Sequence, residues 1–130
     1  MYDKYIIVEN EFRNLGENDK VKGFQLGLRL PYYRGLGLSM VEDIHVKING
    51  QLISREAITV TLHGNTYTLE EMETEYRDRW EFGEVGIIKI KMPGGLQPGL
   101  HQLEITEFLR ISYRPSLLEG HDKKQINLIN

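Results

Sequence analysis

Period two dominates this chain. In DIHVKINGQLIS, Ile44, Val46 and Ile48 alternate with His45, Lys47 and Asn49, and Asn49-Gly50 then follows. Successive side chains of an extended strand point to opposite faces, so this spacing writes one apolar and one polar face. Asn-Gly tolerates the positive φ angles of a type I′ turn, which predicts a β-hairpin centred on residues 49 and 50. In AITVTLHGNTYTL, Val60 and Leu62 alternate with threonines, His63-Gly64-Asn65-Thr66 is the predicted turn, and Tyr67 and Leu69 return.

The same period recurs through Phe24, Leu26, Leu28 and Leu30, and through Ile88, Ile90 and Met92. It resumes through Leu103 and Ile105, and again through Leu109, Ile111 and Tyr113. Glu107 falls on the apolar face between those last two runs, which predicts a bulge or a crossing between sheets near Thr106–Phe108. PGGLQPG, positions 93–99, is turn-rich and excludes a helix or a central strand. One segment departs from the pattern. In TLEEMETEYRDRW, Leu69, Met72, Tyr76 and Trp80 recur at spacings of three and four, and Thr68 with Glu71 matches a capping box. These signals predict an all-β chain, an antiparallel β-sandwich or related open barrel, with one short helix around residues 69–80. The tail from about residue 115, GHDKKQINLIN at its core, is polar and is expected to form an arm.

Length and composition bound the function. The chain of 130 residues reads as a single domain, 1–130, of ordinary globular make-up with 40% hydrophobic and 27% charged residues. Its net charge of −3 provides no broad basic field for nucleic acid or anionic membranes. With no cysteine, thiolate catalysis, disulfides and Cys-based zinc sites are excluded. The start, MYDKYIIVENEFRN, holds only a four-residue apolar run, too short for a signal peptide or a membrane span, so a cytoplasmic protein is expected.

No catalytic set stands out. GLGLS around Gly35 lacks the third glycine and the following helix of a dinucleotide loop. His45, His63, His101 and His121 form no metal-binding pair in sequence and read as solvated. Glu70, Glu71, Glu73, Glu75, Asp78, Glu81 and Glu84 crowd one stretch with Arg77 and Arg79, and read as a solvated helical face. No serine sits in a nucleophile elbow. What remains is aromatic and arginine residues: Tyr32, Tyr33 and Arg34 beside Gly35, then Trp80 with Phe82, and then Arg110, Tyr113 and Arg114. Tyrosine and arginine on loops are enriched in interface hot spots. Core packing is the competing reading for Trp80 and Tyr113, and for Tyr32. Expected site residues are therefore Tyr32, Tyr33, Arg34, Gly35, Trp80, Arg110, Tyr113 and Arg114, close to a partner or substrate, with no catalytic or metal ligand on this chain.

Taken in order, RLPYYRGLGLS, VKINGQLIS, YTLEEMETEYRDRWEFGE, GGLQPGLHQLEI and LRISYRPS resemble the β (small) subunit of bacterial C-glycoside deglycosidases, across nearly the whole chain. The resemblance implies a β-sandwich that binds a TIM-barrel α subunit and is needed for its activity. It implies a divalent metal, usually manganese, and a histidine base on that α subunit, and none on this chain. It also implies a 3-oxo-C-glycoside substrate prepared by a separate oxidoreductase. Such a division suits the chemistry: a C-glycosidic bond has no leaving oxygen to protonate, whereas a 3-oxo group acidifies the C2 proton and permits elimination. The alternatives are a free-standing carbohydrate-binding or protein-interaction module, with Tyr32, Tyr33 and Trp80 stacking on sugars, and a small isomerase using His101 with Glu104.

Overall fold

The alternating runs become strands that stack into two sheets. The computed structural model describes residues 5–16, 20–31, 35–111 and 116–128. Among these, the elements run in the order β1 (Ile7–Leu15), β2 (Gly23–Leu28), β3 (Leu36–Gly37), β4 (Val41–Ile48), β5 (Gln51–Leu52), β6 (Ile58–Leu62), β7 (Asn65–Thr68), α1 (Leu69–Met72), β8 (Arg79–Trp80), β9 (Gly86–Lys91), β10 (Gly99–Leu109) and β11 (Leu118–Leu128). A five-stranded sheet runs β1-β2-β9-β6-β7, a four-stranded sheet runs β11-β10-β4-β5, and β3 pairs with β8 as a separate two-stranded ladder. All pairings are antiparallel, so the fold is a β-sandwich and not a closed barrel.

The core follows the sequence alternation. Phe24, Leu26, Leu28, Val60, Leu62, Ile88 and Ile90 are buried from the five-stranded sheet, and Ile44, Val46, Ile48, Leu103, Ile105 and Leu109 from the other. Each such side chain contributes about 1.5–3 kcal/mol relative to exposure. Every position of β2 is buried, because β1 folds over its outer face through an irregularity between Val8 and Arg13. There the Gln25 side-chain amide donates to the Glu11 carbonyl at 3.1 Å.

At the joint between the sheets the polar groups are satisfied across the gap. Asp122, fully buried on β11, accepts the Ile7 backbone N–H at 2.9 Å, and the Lys124 ammonium donates to the Ile7 carbonyl at 2.9 Å. These bonds stitch the edge of one sheet to the edge of the other.

The Asn49-Gly50 hairpin forms as predicted, with φ of 52° and 85° and Ile48 opposite Gln51. In the next hairpin the turn is shorter than expected: only His63 and Gly64 lie outside the ladder, and Leu62 pairs directly with Asn65. Glu107 does not break its strand. It is buried in phase with Leu103, Ile105 and Leu109, and β10 holds one register with β11 throughout. The irregularity lies on the β4 side, where the register shifts between Phe108 and Leu109.

The expected helix over 69–80 is one turn, Leu69–Met72. Its capping box is present: Thr68 Oγ1 accepts the Glu71 N–H and the Glu71 carboxylate accepts the Thr68 N–H. Beyond it Glu73, Thr74 and Glu75 continue as hydrogen-bonded turns, the Glu75 and Asp78 carbonyls accept the N–H groups of Ser39 and Leu38, and strand resumes only at Arg79. The expected polar arm is also corrected. Residues 118–128 form β11, paired with β10 over the whole of both strands. Among the described residues no helix is long and apolar enough to cross a membrane.

Candidate functional site at one end of the sandwich

One end of the sandwich gathers the connections that the sequence marks. There Ile7, Leu28 and Gly86 lie in register in one sheet, and Val41, Leu109 and Leu118 in the other. The bridge between the two is the run Gly35–Met40. Its Leu38 and Ser39 hang on Asp78 and Glu75, and its Met40 carbonyl accepts the Arg110 N–H at 2.8 Å.

A polar clamp fixes this end. His63 occupies a positive-φ turn position, and its ring meets Asp78 at 2.5 Å through Nε2 and Glu84 at 2.7 Å through Nδ1. Donating to both carboxylates at once takes the imidazolium form, and the two contacts favour it. Its pKa is raised, first by the hydrogen bond to Glu84 and then by that to Asp78. Burial alone would raise the Asp78 carboxyl, but hydrogen bonds from Tyr67, His63, the Arg79 backbone and Asn65 outweigh it and hold the group down at about 2. The Tyr67 phenol donates to Asp78 at 2.5 Å and is pushed up to about 12, chiefly by that bond. Every member of this cluster already has a partner. Its chemistry is that of a fastener between the β6–β7 turn and residues 78–84, and not of a poised acid or base.

Of the expected site residues, Gly35, Trp80 and Arg110 are described. The Gly35 carbonyl accepts from the Arg79 guanidinium at 3.0 Å, and a side chain at this position would run into Glu81. Arg110 is exposed; it donates to the Ser39 carbonyl at 3.0 Å and lies 3.5 Å from Glu42. Trp80 is completely buried, as its packing reading has it, and donates through Nε1 to the Glu84 carbonyl at 2.8 Å. Its ring lies over Gly86, where an added Cβ would come within 2.7 Å of it. Trp80 therefore offers no stacking face to a sugar. The expectations at Tyr32, Tyr33, Arg34, Tyr113 and Arg114 lie outside the described residues. Their flanking residues do belong to this end: Pro31 packs directly on Gly120 of β11, and Ile111 follows Arg110.

Two exposed aromatic residues stand at this end: Phe82, which the sequence groups with Trp80, and Tyr76, which it does not single out as a site residue. Tyr76 is 77% and Phe82 is 60% exposed, and Leu117 nearby in the fold is 40% exposed. Helical spacing assigns Tyr76 to the same face as Trp80, which the structure corrects. The legible signal is at Phe82-Gly83, a turn with Gly83 at φ 80°, where a large side chain points outward. Beside this end lies a hollow of about 410 Å³ lined by Glu42, Asp43, His45, Glu73, Phe108 and Leu117. Its carboxylates are taken up by Arg110, Arg55 and His45.

The histidines are dispersed. His101 meets Asn49 and the Gln97 carbonyl, whereas Glu104 pairs with His121 at 2.8 Å. His101 and Glu104 face opposite sides of β10, so they do not form the pair an isomerase would need. Glu75 and Asp78, expected on a solvated helical face, are instead bound to backbone N–H groups and to the clamp. Among the described residues no group of three or more His, Asp or Glu is disposed to hold a metal.

Comparison with known proteins places this architecture. Residues 2–113 match the family model for the C-glycoside deglycosidase beta subunit. The chain is 36% identical over 118 residues to the C-glycoside deglycosidase beta subunit of Eubacterium cellulosolvens, covering 90% of this chain and 80% of that protein. It is 36% identical over 59 residues, 45% of each chain, to the subunit of the same name from Arthrobacter globiformis. To the 3′-dehydrocarminate deglycosidase beta subunit of a Microbacterium species it is 27% identical over 116 residues, 88% of this chain and 83% of that one. In shape it is similar to the collagen-binding subdomain of the Enterococcus faecalis surface protein ACE, at 14% identity and a TM-score of 0.39 over 92% of this chain and 93% of that one, a likeness too slight to bear on function. On the family match and the relative from Eubacterium cellulosolvens, the chain belongs to the C-glycoside deglycosidase beta subunit family.

Proposed function

We propose that this chain is the non-catalytic β subunit of a heteromeric lyase that cleaves the carbon–carbon bond of 3-oxo-C-glycosides of aromatic aglycones by elimination. In this reading a TIM-barrel α subunit supplies the base and a divalent metal, manganese, and the end of the sandwich described above docks beside its pocket. The observation that carries the proposal is family membership combined with the exposed Tyr76, Phe82 and Arg110 at one well-fastened end. The 3′-dehydro compound in one relative's name supports the same substrate class, because oxidation at C3 is what makes the C2 proton removable.

In this reading the bond-making steps belong to the α subunit, and among the described residues of this chain no three His, Asp or Glu are disposed to hold a metal. The task of this chain is positional. Tyrosine, phenylalanine and arginine supply large contact area and charge-assisted hydrogen bonds at interfaces, and a rigid base beneath them lowers the cost of ordering.

The test is reconstitution. This chain, a co-encoded barrel subunit, and their mixture are assayed separately on a 3-oxo-C-glucoside. Turnover is expected from the mixture and not from this chain, and robust cleavage by this chain alone would refute the proposal. The Tyr76→Asp, Phe82→Asp double variant should keep its melting temperature, since both side chains are exposed, yet lose co-purification and at least about tenfold in turnover. Unchanged assembly and turnover in that variant would move the docking surface elsewhere.

A further inference from the structure

The opposite end of the five-stranded sheet holds a second hollow of about 410 Å³ that the docking function does not use. Leu15, Gly23 and Lys91 stand in register there, and Gly23 adds no side chain between its neighbours. The walls are apolar, from Leu15, Val21, Ala57 and Pro93, and they come from four separate segments of the chain. Three lysines complete the lining: Lys22, Lys89 and Lys91.

Those lysines are the only charged residues in the lining. Like Lys20, Arg29, Lys47 and Arg77 they form no ion pair among the described residues, and what sets the three apart is that they border one hollow. A concave apolar surface in the size range of small-molecule sites, bordered by side chains of one charge sign, suits a ligand with an apolar body and an anionic head. The predominance of apolar walls disfavours a polyphosphate or a nucleic acid. Point-charge ammonium groups, and no arginine fork, suit a carboxylate without demanding bidentate geometry.

We propose that this hollow binds an aromatic or medium-chain aliphatic carboxylate, its apolar body against Leu15, Val21, Ala57 and Pro93 and its carboxylate among Lys22, Lys89 and Lys91. The site lies at the other end of the five-stranded sheet from Ile7, Leu28 and Gly86.

Calorimetric titration of the full chain with octanoate and 2-naphthoate tests the proposal, with octan-1-ol carrying the tail without the charge and acetate the charge without the tail. Both amphipathic carboxylates should bind at least about tenfold more tightly than either control. Amide chemical-shift changes should centre on Leu15, Ala57, Thr59 and Ile90. Lys89→Gln with Lys91→Gln should weaken octanoate about tenfold or more and leave octan-1-ol unchanged. Ala57→Phe, which fills the hollow from a partly exposed position, should remove both. Absence of octanoate and 2-naphthoate binding, or binding indifferent to the lysine variants, would overturn the proposal. So would burial of Ala57, Thr59 and Lys89 by the partner subunit in the complex, which would make the hollow a subunit contact.

Discussion

His63 takes a backbone conformation, φ 35°, that a side chain with a Cβ adopts only at a cost, and in return its ring reaches two carboxylates. The clamp has a pH signature. His63 has a raised pKa, so its contribution to stability is complete below the unfolded imidazole value and is lost as pH rises through the folded one. Asp78 is lowered from 3.8 to about 2, so its contribution is present above its unfolded value and is lost as pH falls toward about 2. The clamp is therefore strongest between roughly pH 4 and the ordinary imidazole value of about 6.5, and weakens above it as pH rises through the folded pKa of His63. His63→Asn keeps a residue that tolerates the turn and removes the imidazolium. Melting temperatures measured from pH 3 to 9 should show the parent chain ahead near pH 5 to 6, with the gap closing above neutrality. A gap independent of pH would contradict the clamp. None of this is legible in the sequence: the partners of His63 lie 15 and 21 residues away, and period-two spacing says only that a turn residue faces outward. The Asn49-Gly50 turn is legible because its chemistry is local.

Two elements show where sequence patterning misleads. The spacing of Leu69, Met72, Tyr76 and Trp80 is helical, yet only the first two share a helix. Trp80 is buried from an extended segment, over the floor left by Gly86, while Tyr76 faces solvent. A single capped turn is too short to be stable on its own, so the ladder to Leu36 and Gly37 sets the path of the chain toward Trp80. In β11 the error runs the other way. Its inward positions include Gly120, Asp122 and Lys124, so the apolar alternation that identifies a strand is missing. Glycine there makes room for Pro31, and Asp122 and Lys124 complete the edge of β1. Asp122→Ala leaves the buried Ile7 N–H without its acceptor and should cost about 1–3 kcal/mol in denaturant unfolding. A change within a few tenths of a kcal/mol would mean that the Asp122–Ile7 bond adds nothing to what holds the two sheet edges together.

At the scale of the whole molecule, the sandwich separates two kinds of surface. One end carries exposed aromatic residues and Arg110 on a base fixed by the His63 clamp and the β3–β8 ladder. The other carries the hollow bordered by Lys22, Lys89 and Lys91, beside the Pro93–Gly95 turn. The two-sheet fold is readable from alternation and turn residues, because each strand's apolar face is written within the strand itself. The proposed docking end is readable only in part, since Tyr76 and Phe82 owe their exposure to the path of a non-helical connection. Hydrogen exchange measured by mass spectrometry on the free chain and on its complex with the barrel subunit tests the docking claim most directly. Protection is expected in Gly35–Met40, Tyr76–Glu84 and Arg110–Ile111, with Asn49–Gln51 and Pro93–Gly99 unchanged. Protection of those two turns, with the Tyr76–Glu84 segment exchanging as in the free chain, would contradict it.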